Sequence, residues 1–467
     1  MSQFGKISYS LQGGLSTDQA EQMHRAMLGL CGTVGMKVGH GPIRELAARN
    51  RGVTDHGGRL TFEAELVEEA IAAQSYPPGL FECDFDIVSG AYCLNVTDLQ
   101  DGRIRPATHA DLYDLTKLAD SYGMLGSAPV LPRDLPGPLQ EIALQKAVFE
   151  VAPRKHVPAL DANPRATPEV AEAVFRMAEV VGAEIPLGAW VISPFRINDD
   201  DLNVIHHHLH RRCPLWIATM PIMGATSPVF PVGSYVQSLA ELFAGLTLLH
   251  VIGGGVPVYC SVIDSVRAYP FDMRYGSFVY GSPEDLWATL LQVQLNGRYG
   301  IPVCAKSLLT ASREPDAHAA AEKSAHTMAA ALAGARLFTN AGLLSVDEIY
   351  SPEQVVLDYE IVQYAKATLR GFEFSEETLA VEAIREVAQK GTFLEHDTTL
   401  DNYRTAFWEP ELFDHRMLQT WQADGAKELR ERLRETARGR IAAHDFHLPD
   451  DQQRALDAIW EECERGL

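Results

Sequence analysis

From about Gly123 the chain alternates between short apolar runs and longer segments whose apolar residues recur at helical spacing. The runs of strand length are GMLGSAPVLP, HVPALDA, LGAWVISPF, PLWIATMPI, PVYCSVIDS, IPVCAKSLL and ARLFTNAG. Helical segments start near Pro138, Thr167, Asn198, Gly233, Pro283, Asp316 and Ser351. Repeated strand–helix units build a parallel sheet. Seven units, with an eighth strand near Val355 or in the N-terminal region, favour a (β/α)8 TIM barrel over a doubly wound sheet. The barrel is expected over residues 121–371. No GxGxxG follows any of these strands, and Gly253-Gly254-Gly255 reads as a helix stop.

Residues 1–120 are expected to cover one end of the barrel with helices and a small β insert. Residues 1 to about 80 read as helical. Ser16 precedes one helix, a second spans about 44 to 50, and Thr61-Phe62-Glu63 opens a third that ends before Pro77-Pro78. FECDFDIV, AYCLNVTDL and GRIRPAT then read as short strands. There Tyr92, Asp98 and Arg105 either face a cavity or are structural. Residues 372–467 read as a helical extension, with a helix from Ser375 to Gln389. The charged tail AKELRERLRETARGRIAAH is expected to pack on the barrel or on a second subunit, and a homo-oligomer is expected.

Composition narrows the partners. A net charge of -22 argues against nucleic acid and anionic membranes. The seven cysteines are scattered and form no CxxC pair, which points to a reducing compartment. No signal pattern opens the chain, and no apolar run reaches membrane length. A cytoplasmic soluble protein is expected. His206 and His210 share a helix face at a spacing that zinc sites use. They precede a strand, at the barrel end remote from chemistry, so a surface helix is expected and no metal site.

Loops leaving the C-terminal ends of strands build active sites in such folds. PLWIATMPI leads into Met223-Gly224-Ala225-Thr226, a small-residue turn that a bulky group can approach closely. Glu241 lies about two turns into the next helix, either facing a pocket or structurally paired. This stretch, with G-A-T-x-P followed by Ala240-Glu241-Leu242-Phe243-Ala244-Gly245, resembles the trimethylamine methyltransferase family. Asp316, Ala319 and Glu322 match that family's Asp-x-Gln-Ala-Gly-x-Glu, with His318 in place of Gln and Ala320 in place of Gly. Ala341-Gly342-Leu343-Leu344, Asp358 with Glu360, and Gly391-Thr392-Phe393-Leu394 continue the resemblance. Thr398 stands where the family has histidine, and His396 lies two residues earlier.

The resemblance implies a methyltransferase that moves a methyl group from an amine nitrogen to Co(I) of a corrinoid (cobalamin). The corrinoid is carried by a cognate partner protein, and none is expected to be tightly bound here. The chain shows no pyrrolysine and resembles the branch without it, whose substrates include glycine betaine and related quaternary amines. Glu241, Asp316 and His318 are the expected catalytic residues. Met223, Thr226, Trp190, Phe195, Tyr259, Asn340 and His396 are expected to line the substrate site. Aromatic faces and carboxylates hold a quaternary cation, and Phe278 and Tyr280 are further cage candidates. The alternatives are a barrel enzyme of other, metal-dependent chemistry and a non-catalytic binder of cationic ligands.

Overall fold

The computed structural model describes residues 6–76, 84–126, 128–153 and 167–466. The chain is a mixed α/β structure whose frame is carried by short parallel strands. These are β1 (Asp86–Ser89), β2 (Leu187–Ile192), β3 (Leu215–Thr219), β4 (Val258–Cys260), β5 (Cys304–Ala305) and β6 (Leu337–Ala341). They form two parallel arcs. In one, β3 lies between β2 and β4, with Leu215 level with both Leu187 and Val258. In the other, β6 lies between β5 and β1, and Leu125 bridges in parallel to Val88 on β1. The Cys304 thiol donates to the Val262 carbonyl at 2.6 Å, linking the arcs. β3 reads LWIAT and is buried at all five positions, the continuous apolar run that a parallel strand covered on both faces requires.

Helix α1 (Pro231–Ile252) follows β3, α2 (Ala317–Leu332) follows β5, and α3 (Pro352–Leu369) follows β6. Gly245 explains the glycine of the A-E-L-F-A-G stretch: a Cβ there would lie 2.6 Å from Ile217 on β3. α1 is long and apolar enough to cross a membrane, which corrects the expectation that no run reaches that length. The cause is structural: 83% of its apolar window is buried, against β3 and the helices Thr17–Thr33 and Ala64–Ala72. α4 (Val381–Lys390) and α5 (Leu429–Ala443) belong to the C-terminal extension. α5 docks on α3 through Arg430 and Arg434, which both grip the unexposed Glu353.

Several expectations are corrected. Of the two places offered for a further strand, the N-terminal region holds β1, which continues the second arc, while the segment near Val355 lies inside α3. The N-terminal region is not wholly helical. Val53–Asp55 and Arg59–Phe62 form an antiparallel hairpin whose turn uses the positive φ of Gly57 and Gly58. The helix Asp199–His208 ends before His210, so His206 and His210 do not share one continuous α-helix. The helix expected from Ser375 to Gln389 breaks at Ala380, where φ is 47°. Arg105 pairs with Asp98 at 2.7 Å and Asp111 at 2.6 Å, which matches the structural alternative. GMLGSAPVLP contributes single parallel bridges at Leu125 and Val130. HVPALDA, Pro77-Pro78 and Cys83 lie outside the described residues.

Candidate active site

Glu241 is a wholly buried carboxylate that ties three elements together. Its Oε2 accepts hydrogen bonds from the hydroxyls of Ser193, just after β2, and Thr219, at the end of β3, both at 2.6 Å. Its Oε1 accepts from the Phe195 amide at 3.0 Å and from Gln237 at 2.8 Å. Gln237 also donates to the Thr226 carbonyl at 2.8 Å, which fixes the Met223–Thr226 turn. Burial raises the Glu241 carboxyl above its ordinary range, and the four donors oppose that rise. A carboxylate so fully engaged shapes the loops leaving β2 and β3.

A second cluster sits beyond the C-terminal ends of β4, β5 and β6. Lys306, one residue after β5, pairs with Asp264 and donates to the Tyr269 hydroxyl at 3.0 Å. Burial lowers the Lys306 ammonium, but Asp264 and Tyr280 together outweigh it and hold it above its usual range. Tyr269 donates in turn to Asp264 at 2.6 Å, and burial pushes its phenol well up. Tyr280 stacks on Phe278, with ring centres 5.2 Å apart and planes at 11°, and meets Tyr269 edge-on at 6.4 Å. Beneath them Arg267 and Asp285 form an ion pair without exposure.

Asp347 enters this cluster from the turn after β6. Ser345, Val346 and Asp347 all have positive φ, at 52°, 58° and 67°. Such a run is costly for residues with side chains, above all for β-branched Val346. The turn is held by the Ser345 amide on the Ser312 carbonyl at 2.7 Å and the Val346 amide on the Thr310 carbonyl at 3.2 Å. Asp347 is open to solvent, yet protein surrounds it on its other sides. The resulting loss of hydration raises its carboxyl to about 6, with Lys306 opposing and Asp264 reinforcing the rise.

The expected site residues fall into three groups. Trp190, Phe195, Tyr259, Met223, Thr226 and Asn340 lie on or just past β2, β3, β4 and β6. Trp190 meets Trp216 edge-on at 6.2 Å, and Tyr259 packs on Tyr76 at 5.1 Å. Met223 is buried, and Thr226 accepts from the Ile222 amide at 2.8 Å. Asn340 has a φ of 77°, and its Oδ1 accepts from Thr339 at 2.8 Å. Asp316 caps α2, accepting from the Ala319 amide and the Ser312 hydroxyl at 2.9 Å each, while exposed His318 meets Glu322 at 2.8 Å. His396 caps the helix Asp397–Asn402, and its contacts with Glu386, Phe393 and Thr398 all lie within the extension. The sequence reading did not single out Lys306, Asp264, Tyr269 or Asp347. The available signal was a lone Lys and a lone Asp inside the apolar runs IPVCAKSLL and PVYCSVIDS.

A family model described as trimethylamine methyltransferase matches residues 9–464. Trimethylamine methyltransferase MttB1 of Methanosarcina acetivorans is 29% identical over 329 residues, covering 68% of this chain and 65% of that protein. Glycine betaine methyltransferase of Desulfitobacterium hafniense (strain Y51) is 26% identical over 425 residues, covering 87% and 88%. The solved structure of the Methanosarcina barkeri monomethylamine methyltransferase MtmB aligns with 93% of this chain and 89% of that one, at 11% identity and a TM-score of 0.44.

Proposed function

We propose that this chain, which belongs to the trimethylamine methyltransferase family, is an enzyme that takes a methyl group from a quaternary amine of the betaine type. The acceptor is a Co(I) corrinoid on a separate protein, which supplies the nucleophile. One observation carries the substrate class. Beyond the ends of β4, β5 and β6 an exposed carboxylate, Asp347, lies within electrostatic reach of a buried ammonium, Lys306. A negative and a positive pole side by side match a zwitterion, whose quaternary nitrogen faces Asp347 and the rings of Phe278 and Tyr280.

The chemistry asks little of the protein beyond placement. A quaternary nitrogen leaves as a neutral amine, so no general acid is needed. The chain's residues hold the cation, orient one methyl outward and keep water away. Asp264 and Tyr269 keep the Lys306 charge fixed, and Glu241 sets the loops of β2 and β3 around the opening. The neighbouring loops present exposed Val229, Phe230, Met273 and Tyr275, an apolar rim suited to a broad macrocycle.

On this reading the two arcs close into a (β/α)8 barrel that begins at β1, ahead of the boundary at 121, in a cytoplasmic enzyme. The test is an absorbance assay with reduced cobalamin or a corrinoid protein and a panel of glycine betaine, proline betaine, carnitine, choline and trimethylamine. Conversion to methyl-Co(III) with a betaine supports the reading. Turnover of trimethylamine alone would reject the zwitterion, and turnover of none would reject methyl transfer.

A further inference from the structure

The opposite ends of the strands carry a cleft of their own. Asp84 and Phe85 lead into β1, Arg336 leads into β6, and the end of α3 and the strand Lys6–Ile7 supply further walls. The cleft measures about 360 Å³, and Trp408 lines it as well. Its charged groups are Lys6, Arg336, Lys366 and Arg370, set against one carboxylate, Asp84. In a chain with 62 acidic and 40 basic residues, this is a local reversal of charge.

The cations are held in place by groups that do not neutralise them. Gln363, Lys366 and Arg370 recur at helical spacing and leave α3 on one side. Arg370 donates from Nη2 to the Ala406 carbonyl at 3.2 Å. Arg336 donates from Nη1 to the Ala335 and Ala331 carbonyls at 2.7 and 3.2 Å. Neither guanidinium meets a carboxylate among the described residues, whereas Arg211, Arg416 and Arg430 each grip two. Lys366 donates to the Asp84 carbonyl at 3.0 Å and meets its 73% exposed carboxylate at 3.3 Å. The buried Phe85 ring draws two of the cations together, with Arg336 5.2 Å and Lys366 6.0 Å from its centre. The strand bearing Lys6 is fixed too. It pairs antiparallel with Phe372–Glu373, where Glu373 is level with Lys6 but makes no ion pair with it. Gly371, at φ 64°, passes so close that a Cβ would lie 2.0 Å from the Ile7 carbonyl oxygen.

We propose that this cleft binds a multiply charged phosphate, free or carried on an organic ester. Four cations less one carboxylate leave three positive charges facing one space, and they repel one another until an anion enters. A di- or triphosphate supplies a matching charge, and a simple carboxylate does not. Guanidinium forks take phosphate oxygens in pairs, and those of Arg336 and Arg370 are positioned in advance by their carbonyl partners. For an ester, the Trp408 indole provides a ring on which a base can stack. The cleft lies at the N-terminal ends of β1 and β6, away from the candidate active site, so the proposal does not rest on the methyl-transfer reading. Occupancy would tie together the N-terminal strand, the entry to β1, the end of α3 and the segment bearing Trp408.

Calorimetric titration of the full chain with inorganic triphosphate, at fixed ionic strength and without divalent cations, should show one saturable site. Acetate and inorganic monophosphate should bind at least tenfold more weakly. Triphosphate should also raise Tm in proportion to the logarithm of its concentration once the site is filled. Arg370→Gln, at an exposed position, and Arg336→Gln should each weaken triphosphate binding at least tenfold, with unliganded melts showing that both variants fold. Adenosine triphosphate binding more tightly than inorganic triphosphate would identify a nucleotide as the ligand, and equal or weaker binding would identify the polyphosphate itself. No saturable heat with either compound, acetate binding as tightly as triphosphate, or an affinity unchanged in both variants would each overturn the proposal.

Discussion

The Tyr269 hydroxyl donates a 2.6 Å hydrogen bond to Asp264 Oδ1, the same oxygen that pairs with Lys306. Asp264 is thus committed to its own chain, and Asp347 is left as the carboxylate open to a cation. Asp264→Asn strands a buried ammonium and should cost about 3–5 kcal/mol in urea denaturation. Tyr269→Phe removes two buried hydrogen bonds, one given to Asp264 and one received from Lys306, and should cost about 1–3 kcal/mol. An unchanged midpoint in Asp264→Asn would show that Lys306 does not depend on this pair.

Asp347 sets the expected pH dependence. Its carboxyl titrates at about 6 in the folded chain, and a cation binds the ionised form. Betaine affinity should therefore fall as pH drops through 6, and Asp347→Asn should flatten that profile while lowering kcat/KM by about 10–100-fold, the loss of one charged contact. The stability sign is the reverse. A pKa raised above the ordinary 3.8 makes the charged form unfavourable in the fold, so Asp347→Asn should raise Tm at pH 7. That gain should shrink as pH falls from 6 and vanish below about 4. Thermal melts of both proteins across this range check it.

Glu241→Gln replaces an acceptor of four hydrogen bonds by a group that must donate at one oxygen's place. The loop Ser193–Phe195 and the end of β3 lose a shared anchor. We expect a stability loss of about 1–3 kcal/mol, read by urea denaturation, and a raised KM from the displaced loop. If Glu241 instead takes part in the chemical step, kcat falls while stability and KM hold.

Lys323 and Asp358 form a fully buried ion pair at 2.8 Å between α2 and α3. Asp358 also accepts from the Gly342 amide at 2.8 Å, at the start of the turn that carries Asp347. Lys323→Met alone should cost about 3–5 kcal/mol by leaving a buried charge unpaired. Lys323→Met with Asp358→Leu should recover most of the loss in chemical denaturation. A double-variant loss equal to the sum of the Lys323→Met and Asp358→Leu losses would show that the two residues are not coupled.

The parallel frame was legible in the sequence because buried parallel strands leave continuous apolar runs such as LWIAT. β1 was legible as a strand within FECDFDIV, but its parallel pairing with β6 was not, since DIVS is four residues long and sits among turns and polar residues. The Gly57-Gly58 hairpin was masked by the helices on either side. Glu241 stood out as a carboxylate in an apolar helix, but its partners at 193, 195, 219 and 237 come from three elements that only the fold brings together. Asp347 gave no signal, because its place depends on three consecutive left-handed residues that local sequence does not announce.

The most direct test of the account is one absorbance experiment. Glycine betaine is mixed with the protein and a Co(I) corrinoid acceptor, for the parent chain and for Asp347→Asn side by side. The account predicts conversion to methyl-Co(III) by the parent and a conversion slowed at least tenfold in the variant. Equal rates in both would remove Asp347 from the site, and a flat trace in the parent despite measured betaine binding would contradict methyl transfer itself.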